Sequence, residues 1–491
     1  ETANYWGAYS VFQSGRLSQF SEESLVGGDI VKPRSFRIID NHLVLTGFLG
    51  MPWLYGEIAT FFGSEDIIRF LTPALAVIGA FFFYLWLRRL FMAPVAWLAT
   101  LLLLVLPAFW YYASKSMMPN VPFVSLLLIG LYLWQTALTT KRLSQYIWTG
   151  IFVGLALAIR SSEVIWVAPL FALYTIAAYR QVQWSYIWVI PAFILVGMLP
   201  MFFYNTILFS DPSNVGYQLG VDGQVNWLNY LLPFGFVPSV IALKAKLYLL
   251  QLFSWQQFYY IFALLSLIFI LLRQRKEHIQ TGIFNYTAIY LILSGLLILY
   301  YGSWNFSDNP NPRLVTIGTS YVRYWLPIYI GVLPIFAYGL YFMFRTSRVA
   351  YIMTALAVFM VSGVLGYGDV YADKQEGLIA VSDNIAQYKI MANIVMDNTE
   401  ADSIIISRRH DKVFFPDRTV IFDLFYEIDY QRTKRLMDSY PVYMWDWQYS
   451  AEKLDDLNRR TYEPEGVTLQ STGHKYNNFM LYRMTNVTAS N

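Results

Sequence analysis

No cysteine occurs in the 491 residues. That excludes a disulfide framework, a thiolate metal site and a thiol nucleophile, and leaves the redox compartment open. Charge is scarce as well: Asp, Glu, Lys and Arg make up 14% of the chain, against about 25% in an ordinary soluble domain. The net charge of +3 is thinly spread and makes no case for nucleic acid. No Gly-rich phosphate loop, Ser/His/Asp signature or metal-ligand spacing occurs. No segment reads as a signal peptide, and the first residue is Glu1 rather than Met, so the native start is expected to lie upstream. What is plentiful is apolar: 56% hydrophobic residues and 18% aromatics, with a mean hydropathy of +0.41. These values define an integral membrane protein.

Runs of about 20 apolar residues predict spans near 67–87, 93–112, 121–138, 146–159, 163–179, 185–208, 255–272, 281–301, 323–344 and 349–367, about ten in all. The 146–159 run is the shortest. Alternate short loops carry Arg88-Arg89, Lys141-Arg142, Arg180, Arg273/Arg275/Lys276 and Arg345/Arg348 with almost no acids beside them. The positive-inside rule makes those loops cytoplasmic. Residues 1–66 and the C-terminal tail then face the periplasm, exterior or lumen, which requires a span upstream of Glu1. The expected fold class is an all-α polytopic membrane domain with a small C-terminal soluble α/β domain. The expected domains are a transmembrane catalytic domain at 1–371 and a soluble outer-side domain at 372–491. Within the first, 1–66 form an outer loop with interfacial helices near 3–19 and 44–62. In the tail, 380–397 read as a helix, and 403–407, 420–422 and 478–482 as strands.

Residues 1–66 draw attention because charges and turn residues are concentrated in a loop that spans hold in place. A carboxylate at Glu1 suits general-base work or metal binding, or is simply a solvated terminal residue. Asp40 and His42 flank Asn41, where ordinary turn chemistry is the simpler account. Lys115, in the short loop 113–120, suits a lipid phosphate or snorkels to headgroups. Arg160 lies at a helix end with Glu163 three residues on, so a local pair and a charge held for function both fit. Arg323 leads into a span, and its guanidinium either binds phosphate in bidentate fashion or anchors the helix. Lys244 and Lys246 fall on a stretch, 238–251, that reads as interfacial. No span has an acid at mid-depth, which argues against an ion-coupled transporter. Asn305-Phe-Ser307 and Asn486-Val-Thr488 fit the glycosylation acceptor pattern.

Several motifs, taken in order, resemble the membrane glycosyltransferases of the GT-C fold, in the protein O-mannosyltransferase / lipid A aminoarabinose transferase superfamily. Glu1-x-x-x-Tyr5 looks like the acidic motif of that superfamily's first outer loop, and Phe48-x-Gly50-x-Pro52-x-Leu54-Tyr55 like its second half. Arg69, Ser116-Met-Met-Pro119-Asn120-Val-Pro122, Gly154-Leu155 with Arg160, Pro200 to Asn205 with Phe209 and Gly216-Tyr217, and Arg323-Tyr324-x-Leu326-Pro327 continue the match through residue 345. The resemblance implies transfer of a sugar from a polyprenyl-phosphate donor to a protein, lipid or glycan acceptor on the outer face of the membrane. It implies Glu1 as the catalytic carboxylate, with Arg323, Arg160 and Lys115 at the donor phosphate. It implies Tyr5, Asp40, His42, Asn120, Asn205, Tyr217 and Tyr324 around the donor and acceptor. No cofactor is assigned, and a divalent cation stays open. The sequence departs from the family pattern in three places. The family's acidic pair would put an Asp before Glu1, Asn120 stands where many members have an acid, and neither Gly50 nor Met51 is the lysine some members carry. The alternatives are a flippase for lipid-linked oligosaccharides and a non-catalytic membrane subunit.

Overall fold

The computed structural model describes residues 1–214, 216, 232–273, 282–304, 314–423 and 428–487. Tyr217, the Asn305 triplet, Arg275/Lys276 and Thr488 lie outside the described residues. The chain packs as two compact units. The first comprises Glu1, Phe62–Phe203 and Leu219–Val381; the second comprises Thr2–Phe61, Tyr204–Gln218 and Ser382–Asn491.

Seven helices among the described residues are long and apolar enough to cross a bilayer: Ile67–Leu90, Asn120–Thr140, Trp184–Phe209, Ser254–Leu272, Gly282–Gly302, Leu326–Phe344 and Arg348–Ala372. Ala93–Leu104 and Pro107–Ser114 form an eighth, bent by 55°. The bend falls where Pro107 lacks an N–H to donate and disfavours helical backbone before it. Leu143–Ile159 and Ser161–Ala177 are shorter apolar helices, so each of the ten expected spans corresponds to a helical segment. Asn120–Thr140 and Leu326–Phe344 are 89% and 78% buried, whereas Trp184–Phe209 and Arg348–Ala372 are 17% buried. The first pair forms the core of a helical bundle. The second presents Leu195, Leu199, Met360 and Val364 outward, an apolar surface suited to lipid. Helices approach closely through glycine. A Cβ on Gly154 would meet Ile194 O at 2.3 Å and the Cα of Gly197 at 2.9 Å, the small-residue contact that lets membrane helices pack backbone to backbone.

In the second unit the polar N-terminal residues do more than the expected helices require. A helix over Thr2–Ser14 is followed by β1 (Ser18–Phe20), β2 (Phe36–Ile39) and β3 (His42–Leu45), with a further helix at Gly50–Phe62. The strands form an antiparallel sheet in the order β1-β3-β2. Asp40 and Asn41 join β2 to β3 with φ of 50° and 59°, and positive φ at both loop residues makes the type I′ hairpin turn that Asp and Asn tolerate. Trp6, Phe36, Val44, Leu45 and Leu49 form the small core beneath.

The C-terminal residues of that unit build a mixed five-stranded sheet, order β5-β4-β6-β8-β7. It consists of β4 (Ile404–Ser407), β5 (Thr419–Phe422), β6 (Val442–Trp447), β7 (Val467–Tyr476) and β8 (Phe479–Asn486). β4 pairs parallel with β5 and β6, and the other ladders are antiparallel. Ile404, Ile405 and Ile406 are fully buried, as expected for a central strand covered on both faces. Arg34 ties the N-terminal residues to this sheet: its backbone N and its Nε bond the buried Asp411 carboxylate at 2.7 and 2.8 Å.

Candidate active site

The first unit gathers Glu1, Lys115, Asn120, Arg160, Arg323 and Tyr324 from five separate places in the sequence. Lys115 follows the end of Pro107–Ser114, and Met117, with φ of 64°, turns the chain before Asn120 opens the next helix. The Lys115 Nζ lies 3.6 Å from Glu1 Oε1 and 4.8 Å from the Tyr111 ring centre. Tyr111 donates to the Glu376 backbone O at 2.9 Å. Burial would raise the Glu1 carboxyl, and Lys115 and Arg323 act to lower it. Burial would likewise depress the Lys115 ammonium, and Glu1, Tyr111 and Glu376 raise it above its ordinary value. The Lys115 ammonium is therefore ionised at neutral pH.

Arg323 sits in the short helix Ser320–Tyr324. Its guanidinium bonds Ser320 Oγ, reaches Met118 Sδ at 3.4 Å and lies 5.2 Å from the Tyr324 ring centre. Asn120 is buried and donates Nδ2 to Arg323 O at 3.2 Å, while its Oδ1 has no hydrogen-bond partner within the protein. Arg160 stands over the same Tyr324 ring at 4.6 Å. Tyr324 stacks in turn on Tyr301 at 4.7 Å.

Arg160 differs from the other two cations because it already has a carboxylate. Its NH2 lies 2.6 Å from Glu163 Oε1, and both side chains are about 5% exposed. Glu163 also accepts from Tyr301 Oη at 2.9 Å and from the Trp166 indole. The local pair foreseen from the spacing thus forms, and it is the hub of a buried polar network. Trp166 leads from this network into an apolar cavity of about 320 Å³. That cavity is lined by Phe83, Leu127, Leu170, Tyr290, Leu297 and Pro327 among others.

Glu376 joins these residues without having been singled out by any sequence motif. Its carboxylate accepts from Gly318 N at 3.1 Å and from the Thr316 hydroxyl. No local motif marks it; in the sequence it is one of three acids, with Asp369 and Asp373, that follow the last apolar run.

The remaining predicted residues belong to the second unit. Tyr5 stacks on Tyr9 at 6.4 Å within the first helix. Asp40 occupies the hairpin turn, and His42 Nδ1 sits 2.8 Å from its backbone O. Asn205 is buried and donates to Pro212 O at 3.0 Å. Tyr217 lies outside the described residues. Among the described residues, no group of three or more His, Asp or Glu side chains converges as a metal site.

Residues 49–204 match the family model described as dolichyl-phosphate-mannose-protein mannosyltransferase. ArnT from Cupriavidus metallidurans bound to undecaprenyl phosphate is similar over 100% of this chain and 94% of its own, with a TM-score of 0.52 at 11% identity. Its apo state gives 0.54 at 11% identity, over 98% of this chain and 93% of its own. The Archaeoglobus fulgidus oligosaccharyltransferase in its apo form gives 0.51 at 9% identity, over 100% of this chain and 70% of its own. No curated protein sequence matches the chain. The fold is the GT-C fold of membrane glycosyltransferases. The family model matches part of the chain, and the structural likeness is one of fold.

Proposed function

We propose that the protein moves a sugar from a polyprenyl-phosphate donor to a protein, lipid or glycan acceptor, with the reaction on the outer face of the membrane. One observation carries the reading: a carboxylate and two cations, Glu1, Lys115 and Arg323, meet in the unit whose apolar cavity is lined by Trp166 and Pro327 among others. The cavity suits a prenyl chain, and the cations suit the phosphate at its head. The family match and the ArnT structure with undecaprenyl phosphate support that donor class.

In the reaction, an acceptor oxygen attacks the anomeric carbon and the carbon–oxygen bond to phosphate breaks. Glu1 takes the acceptor proton. Polyprenyl phosphate departs with the bonding pair, and Lys115 and Arg323 neutralise the charge that develops on it. Asn120 Oδ1 is placed to accept from a sugar hydroxyl. Arg160, neutralised by Glu163, holds Tyr324 beside Arg323. The basic loops support an outer-facing site through the positive-inside rule.

The test is release of polyprenyl phosphate by the purified protein from a panel of radiolabelled polyprenyl-phosphate sugars. Glu1→Gln should slow transfer by about 10²-fold or more, the usual share of a general base. Lys115→Ala and Arg323→Ala should each lower kcat/KM. Donor translocation in liposomes without transfer from any donor would replace this reading with a flippase.

A further inference from the structure

Tyr111 and Tyr112 are consecutive and fully buried, with rings at 90° and 5.1 Å apart. Their hydroxyls reach two distant segments of the first unit. Tyr111 donates to Glu376 O at 2.9 Å. Tyr112 donates to Ile317 O at 3.0 Å and reaches Thr319 O at 3.3 Å. The Glu376 carboxylate joins those two segments, accepting from Gly318 N at 3.1 Å and from the Thr316 hydroxyl. A closed ring of hydrogen bonds therefore runs through residues 111–112, 376 and 316–319.

The backbone prepares Glu376 for this place. Asp373 Oδ1 accepts from Gln375 N and Glu376 N at 3.0 and 2.9 Å, a turn that an aspartate side chain makes readily. Position 318 also has to lack a side chain, because a Cβ there would overlap Glu376 Oε2 and displace the carboxylate.

Each side of the ring leads to a cation of the site. Lys115 N bonds Tyr111 O at 3.2 Å, and its ammonium lies 4.8 Å from the centre of the Tyr111 ring. On the other side, the Thr316 and Thr319 hydroxyls bond at 3.1 Å. Thr319 O then accepts from Val322 N at 3.0 Å and opens the helix Ser320–Tyr324 that carries Arg323. The Glu376 carboxylate is also one of the groups that raise the Lys115 ammonium. An ammonium and a guanidinium serve one phosphate best when their spacing is set before it arrives.

We propose that Glu376 is a positioning residue for the phosphate-bearing ligand: its carboxylate fixes the Arg323 segment against the Lys115 segment without touching the ligand. The identity of the ligand rests on the transferase reading; the hydrogen-bonded ring does not.

The test is a double-mutant cycle on the full-length protein. Turnover of a radiolabelled polyprenyl-phosphate sugar and binding of polyprenyl phosphate, by native mass spectrometry, are both measured. Glu376→Ala and Gly318→Ala should each lower kcat/KM and weaken binding about tenfold or more. Glu376→Gln, whose amide oxygen still accepts both bonds, should recover most of that loss. In an Arg323→Ala background, Glu376→Ala should change either quantity by no more than about twofold, because the group it positions is gone. Melting temperatures confirm folding, and Gly318→Ala against Glu376→Gln carries the comparison if Glu376→Ala does not fold. A folded Glu376→Ala that matches wild type, the same loss in both backgrounds, or Glu376→Gln no better than Glu376→Ala overturns the positioning role. A wild type that binds polyprenyl phosphate and turns over no donor, with the cycle intact in binding, sinks the transferase reading and leaves the role standing. A wild type that does neither overturns both.

Discussion

Glu163 is the position where the network is most exposed to a single change. Its carboxylate is about 4% exposed and accepts from Arg160, Tyr301 and Trp166 at once. Glu163→Ala leaves the Arg160 guanidinium buried without its counter-charge, a loss of about 3–5 kcal/mol in comparable pairs. The Tyr301 hydroxyl and Trp166 indole lose an acceptor too, each a penalty of about 1–3 kcal/mol that overlaps the first rather than adding to it. Removing both charges in Arg160→Met/Glu163→Leu should recover much of the loss, because an apolar pair of similar volume replaces the desolvated ions. The recovery stays partial, since Tyr301 and Trp166 remain unmatched. Thermal unfolding in detergent, read as an order of melting temperatures, should give wild type highest, the double variant next and Glu163→Ala lowest. Glu163→Ala melting with wild type, or the double variant melting below Glu163→Ala, would refute the claim that charge balance holds this network.

Packing in the bundle gives a second outcome. Gly154→Leu forces a side chain into Ile194 O and Gly197, and overpacking of about 1–3 kcal/mol or more should appear as a broadened, early-eluting peak in size-exclusion chromatography. A third concerns the second unit. Asp411 is fully buried against Arg34, so Arg34→Ala leaves a carboxylate short of donors, at about 1–3 kcal/mol less what solvent screening at the part-exposed arginine removes. Limited proteolysis should then cut residues 15–35 faster than in wild type, whereas unchanged cleavage rates would argue against the tie.

The spans were legible because each is a run of apolar residues of membrane length, broken by charges that lipid would not admit. Fold class followed for the same reason. The polar sheet was less legible. β4 announces itself as three consecutive isoleucines, but β6 mixes Asp446 with aromatics, and β7 alternates polar residues along a strand that is largely exposed. The N-terminal sheet is shorter still: its three- and four-residue strands rest on the Asp40-Asn41 turn and on one small core. Pairing with partners elsewhere decides such strands, and a local pattern does not carry it. The candidate site was legible by residue type and not by grouping. Glu1, Lys115, Asn120, Arg323 and Glu376 converge only after the helices pack. The resemblance grouped Asp40 and His42 with them, and the structure places Asp40 in a hairpin turn and His42 at the start of β3, in the second unit.

The environments of Lys115 and Arg160 separate two cations that the sequence presents as equals. Arg160 is about 5% exposed and held at 2.6 Å, so exchanging Glu163 for another anion would strand a buried carboxylate. Lys115 is 20% exposed, and its 3.6 Å separation from Glu1 is longer than a hydrogen bond. A donor phosphate can take that ammonium at little cost. Once it does, Glu1 loses part of the field that lowers its carboxyl and becomes a stronger base where an acceptor hydroxyl needs one. The sign is testable. The acid limb of wild-type kcat/KM, which reports the free enzyme, follows the ionisation of the general base, and Lys115 is one of the charges that lower the Glu1 carboxyl. Lys115→Met removes one of the charges that lower it, and the limb should move to higher pH even as the rate drops. Arg160→Met, paired with Glu163→Leu to stay folded, should leave the limb where it was. A limb that stays fixed in Lys115→Met would mean that Glu1 is not the group being titrated.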